Sequence, residues 1–150
     1  MRARYRLLPY AGGFNESRAH RFGQEVLHSQ PLLQQFGEPR DVASHLSASG
    51  ALLHLPGSHD PVSAIVTLSV KPSADGSGMV VRMVNASDEP QIAALREGQL
   101  QIVSAWRCTL LEASWYDLPV ENGAIELNLA ARELAAVHIV FGNQMFGNQQ

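Results

Sequence analysis

The groups that could do chemistry in this 150-residue sequence are histidines, carboxylates, one cysteine, a lone arginine in an apolar run and two neighbouring aromatics. The six histidines are His20, His28, His45, His54, His59 and His138. No two stand at the His-x-x-x-His spacing that sets two imidazoles on one helical face, and none is paired with cysteines, so structural or surface histidines are expected and no metal site in this chain. Glycoside-type acid/base chemistry needs two carboxyls held across a substrate. Glu112, Asp117, Glu121, Glu126 and Glu133 could supply them, but spacing sets no two on opposite sides of a pocket, and solvated strand ends and turns explain them more simply. The expectation is therefore no catalytic residue. Cys108, in "WRCTLLE", reads as a small buried hydrophobe and cannot form an internal disulfide. Trp115 and Tyr116 are the candidate carbohydrate or interface contacts, because exposed aromatics stack on sugar faces and anchor interfaces, while Trp106 reads as core. Gly-rich phosphate loops, Gly-x-Ser-x-Gly and Cys-x-x-Cys motifs are missing.

The stretch "MVVRMVNASDEP", residues 79–90, joins this chemistry to structure. As a strand it puts Met79, Val81 and Met83 on one side and Val80, Arg82 and Val84 on the other. Both faces are largely apolar, as in a strand covered on each side by sandwich and neighbouring domain. Burying Arg82 without a counter-charge is costly, so a carboxylate partner is expected, with Glu112 and Glu133 the first candidates for a structural ion pair. Asn85-Ala-Ser87 matches a glycosylation tripeptide, but the Asn, Asp and Pro that surround it read as a turn.

The elements that must hold these residues follow from periodicity. "RARYRLLPY" alternates and predicts a strand with one wet face. Asn15 or Ser17 can cap a helix through "ESRAHRFGQEVLHSQ", with Ala19, Phe22, Val26 and Leu27 on its apolar face and Pro31 limiting its end. From about residue 50, short apolar runs alternate with turn chemistry: "ALLHLPG", "SAIVTLSVKPSADGSG", "MVVRMVNASDEP", "QIVSAWRCTLLEA" and "GAIELNLAARELAAVHIVF". Asp75-Gly76 and Asn122-Gly123 are hairpin signals, and a turn at Ala131 to Glu133 joins "IELNL" to "AAVHIVF". The class is all-β, an antiparallel β-sandwich with one short helix near the N-terminus. Residues 1–56 read as a strand-helix segment, 57–141 as the sandwich and 142–150, "GNQMFGNQQ", as a frayed tail.

Composition limits the function. A net charge of -3, with eleven scattered Lys and Arg and a single lysine at Lys71, offers no basic patch for nucleic acid. No apolar run approaches the roughly 18 residues that span a bilayer, and the N-terminus has no apolar signal block. The expected location is the cytoplasm.

The string "SAIVTLSVKPSADGSGMVVRMVNASDEPQIAAL", followed by "CTLLEA" and "IELNLAARELAAVHIVF", resembles the C-terminal β-sandwich region of glycoside hydrolase family 38, the α-mannosidases. The carrying positions are Lys71-Pro72, Asp75-Gly76, Arg82 with Asn85, Leu110 to Glu112, and Glu133. "YRLLPYAGGFNESRAHRFGQEVLHSQPL" is similar to the family's preceding segment, with Tyr10 where the family has a histidine, so the resemblance runs from about Arg4 to Phe141. It implies a parent hydrolase of α-mannosidic bonds whose nucleophile and zinc ligands lie in a large N-terminal domain. None of that domain's residues can be placed on this sequence, so no catalytic residue and no cofactor is carried over. The resemblance makes the catalytic domain the expected partner and leaves a free-standing carbohydrate-binding module as the alternative. An interface bared by its absence would favour a homo-oligomer.

Overall fold

In the computed structural model, which describes residues 5–27, 51–57 and 63–142, every paired strand runs antiparallel to its neighbour. Among the described residues one helix, α1 (Glu16–Leu27), precedes eight strands: β1 (Leu53–His54), β2 (Ile65–Pro72), β3 (Met79–Asn85), β4 (Gln91–Glu97), β5 (Ile102–Cys108), β6 (Ser114–Leu118), β7 (Ala124–Leu129) and β8 (Leu134–Phe141). They form a three-stranded sheet in the order β1-β4-β7 and a five-stranded sheet in the order β2-β3-β8-β5-β6. This is an antiparallel β-sandwich with one short helix near the N-terminus, as the sequence implied.

The core lies between the sheets and follows the period of two. Val81 and Met83 of β3 and Ala135, Val137 and Ile139 of β8 turn inward from one sheet; Ala93 and Leu95 of β4 and Ile125, Leu127 and Leu129 of β7 meet them from the other. Leu53 and Leu55 pack against the same core, and β1 pairs with β4, so chain before residue 57 contributes to the sandwich.

Asp75-Gly76 sits in a six-residue connection between β2 and β3, where the Asp75 carboxylate accepts hydrogen bonds from Ser73 Oγ, Ser77 N and Ser77 Oγ. Those bonds hold the Asp75 carboxyl well below the usual carboxylate range. Asn122 and Gly123 both have positive φ, 50° and 70°, as a two-residue turn of type I′ requires. The strands they join do not pair with each other, however: β6 and β7 belong to different sheets, and only Glu121 and Ala124 bridge across the turn. The turn at Ala131 to Glu133 likewise passes the chain from one sheet to the other.

Two local expectations are corrected. Residues 5–10 form no strand: Tyr5 and Leu7 are 86% and 90% exposed, so the alternation there has no sheet to face. In α1, Asn15 is the cap, its Oδ1 accepting from Arg18 N at 2.9 Å, but Ala19 and Val26 are exposed and, among the described side chains of the helix, the buried one is Ser17. Pro31 and residues 143–150 lie outside the described residues.

Candidate functional site

The outer face of the five-stranded sheet carries a small apolar cluster of Val80, Cys108 and Ala136, flanked by Trp106. Register puts Arg82 opposite Ala136 and Val80 opposite His138, on that same face. The turn after β5 folds back there and supplies Glu112. Arg82 Nη2 donates to Leu110 O at 2.9 Å and lies 3.2 Å from Glu112 Oε1. Lys71 pairs with the same carboxylate, and Glu112 Oε2 accepts from Ala74 N at 2.7 Å. Glu112 thus ties the β5–β6 turn to the β2–β3 connection. Its positive φ of 70° is the backbone cost of that reach. Hydrogen bonds from Lys71 and Ala74 hold its carboxyl below the usual range. Beneath it, burial and the Glu112 charge push the Cys108 thiol up, the reverse of what a reactive thiolate needs.

Glu133 is not a partner of Arg82. It pairs with Arg107, which projects from β5 opposite Val137 and Tyr116, toward the inner side. Arg107 is 6% exposed and also donates to Tyr116 Oη at 3.2 Å. Burial raises the Glu133 carboxyl, but the Ala130 N–H at 2.6 Å and the Arg107 guanidinium outweigh it and bring the group below its ordinary value. Trp115 completes this cluster. Its ring is 5.4 Å from the Arg107 guanidinium carbon and meets Tyr116 edge-on at 5.5 Å. Trp115 and Tyr116 are 67% and 45% exposed on β6, an outer strand of the sheet. Trp106 lies on the outer face, stacked on buried His138 at 4.1 Å, instead of in the sandwich interior.

Arg107 escaped the sequence reading although it gives the same signal as Arg82, a lone arginine in an apolar strand. Asn85 was read as part of a turn, yet it is the last residue of β3 and fully buried. Its Nδ2 donates to Glu89 O and Ala130 O at 2.7 and 2.8 Å, and its Oδ1 accepts from Ser87 N and Oγ.

Residues 64–137 match the glycosyl hydrolases family 38 C-terminal beta sandwich domain. This stretch is such a domain. The family 38 domain takes in all of β2 to β7 and the first half of β8, and with them Arg82, Arg107, Glu112, Trp115, Tyr116 and Glu133; α1, β1 and the end of β8 lie outside the match. No curated protein matches the chain. Among the described residues no three His, Cys, Asp or Glu side chains gather to hold a metal. Glu121 and Glu126 do share a cleft of about 260 Å³ with Arg96, Pro119, Asn122 and Ala124. Glu126 and Arg96 are both solvent-exposed, and Arg96 Nη2 lies 3.7 Å from Glu126 Oε1, so that carboxylate already faces a cation in water.

Proposed function

We propose that the chain is the C-terminal, non-catalytic part of an α-mannosidase-like family 38 hydrolase, and that it supports a catalytic domain which these residues do not contain. The family match carries this reading. The side-chain chemistry is consistent with it: Glu112 ties one loop to another, Glu133 pairs with Arg107 of β5 and Asp75 braces its own turn, with carboxyls held ionised instead of raised into the range of a general acid. The test is an assay of the isolated chain on an aryl α-mannoside with zinc or cobalt added. No turnover is expected. Reproducible turnover lost in Glu121→Gln or Glu126→Gln would overturn the proposal.

The Arg107–Trp115–Tyr116 cluster favours a second reading, a carbohydrate-binding module. An indole 67% exposed and backed by a guanidinium is a planar platform for a sugar face. Titration with mannose and mannobiose separates the two readings. Chemical-shift changes centred on Trp115 and abolished in Trp115→Ala support binding; unchanged spectra at millimolar sugar leave the supporting role alone.

A further inference from the structure

We propose that α1 is a detachable cover over the free edge of β2, and that without it this edge pairs with the β2 edge of a second copy of the chain. The inference holds whether or not the hydrolase reading does. Among the described residues β2 is the outermost strand on its side of the five-stranded sheet. Ala86 N–H donates to Ala64 O, so the Ala64 carbonyl points toward β3. Carbonyls alternate along an extended strand, so that of Ile65, the first residue of β2, points to the open side, and Ser63, which precedes the strand, presents its own beside it. Arg21 of α1 reaches both, its Nη2 donating to Ser63 O at 2.8 Å and to Ile65 O at 3.1 Å. One guanidinium thus takes the place of the donors that a neighbouring strand would present.

Gly57 makes room for this contact. A Cβ there would lie 2.6 Å from Arg21 Nη2 and 2.7 Å from Ile65 O, and its φ of 70° is one that side chains disfavour. At its other end α1 is tied by an ion pair between Glu16 and Arg132. Among the described side chains of its apolar face, Ala19 and Val26 are exposed and Phe22 is half-buried. Between helix and strand remains a cleft of about 270 Å³ lined by Arg21, Gln24, Leu55, Pro56, Ile65 and Val66. Among the described residues polar ties of α1 to the sandwich run through Arg21 and Arg132, and a helix so held beside a cleft can lift without breaking the core.

The sequence beneath identifies the occupant. Ile65–Val70 reads Ile-Val-Thr-Leu-Ser-Val, without charge or proline and rich in strand formers, which is the composition that self-pairs when exposed. Two such edges meet without like-charge repulsion. The far part of β2 carries its own guards in the register shift at Thr67–Ser69, Lys71 and Pro72, whereas the near part has α1.

Sedimentation of the full chain over a concentration series, with amide exchange read along β2, tests this. Arg21→Gln removes the donor, and Gly57→Ala displaces it without changing charge. Both should raise the self-association constant by about tenfold or more, with β2 amides protected in the associated form. Glu16→Gln, which loosens only the far tether, should act in the same direction and serves if either variant fails to fold. Folded variants that sediment like the unaltered chain would refute the proposal, as would an associated form whose β2 amides exchange freely.

Discussion

Asn85 and the two strand arginines show how much this sandwich relies on single polar side chains. Asn85 closes the end of β3 by bonding to the backbone of the following turn and of the β7–β8 turn at once. Fully buried with its amide nitrogen engaged by two carbonyls, it cannot accept a glycan in the folded protein. Asn85→Ala leaves those carbonyls and Ser87 N–H short of partners and is expected to cost roughly 3 kcal/mol, measured by urea denaturation. Arg107→Leu fills the inner position but strips Tyr116 and Glu133 of a charged donor. With Glu133 still bonded to Ala130 N and partly hydrated, the expected loss is about 2 kcal/mol. The acid limb follows from the depressed carboxyls. Asp75, Glu112 and Glu133 bind protons less readily folded than unfolded, so their contribution is fully present above the ordinary carboxylate range of about pH 4 and is lost as pH falls through the lowered values. Melting temperatures measured from neutral to acid pH should fall, and Glu112→Gln should make the fall shallower.

At the scale of elements, what could be read in advance was what periodicity and turn chemistry encode. The alternation of "MVVRMVN" and "AAVHIVF" reflects one inner and one outer face, and these became β3 and β8. β4 went unread because "QIAALRE" has only Ala93 and Leu95 facing inward, among residues that apart from the exposed Ile92 have low strand preference; pairing with β7 makes it a strand. β6 went unread because four of its five residues are exposed and show no two-residue period. "RARYRLLPY" shows the converse, alternation without a partner. The ion pairs were half legible: a lone arginine in an apolar strand demands a counter-charge, but which carboxylate supplies it depends on how turns fold back over the sheet, which sequence distance does not reveal. Close strand contacts are equally hidden. At Gly78 an added Cβ would lie 2.1 Å from the backbone oxygen of Ile139, where β3 meets β8. Gly78→Ala is therefore expected to cost about 2 kcal/mol or more by forcing the strands apart, seen as a lower urea midpoint.

For the whole molecule, the apolar face of the sandwich and its loop-to-loop ion pairs form one closed unit in which Arg82 finds its partners inside the chain. Arg82 therefore gives no sign of a missing neighbour, and a test for contact with the proposed catalytic domain should turn to the aromatic edge at β6. Trp115→Ala should leave the urea midpoint nearly unchanged, because its exposed ring contributes little to the core. The same substitution should weaken any complex with a family 38 catalytic region, measured by calorimetry.

β8 lies between β3 and β5, with β3 made some fifty residues earlier in the order of synthesis. It is also the last of the eight strands to leave the ribosome. Until it emerges, β3 and β5 face each other across a gap one strand wide, and two apolar edges stand open in the nascent chain. A chain cut short before Leu134 would therefore lack the strand that joins the two halves of its larger sheet.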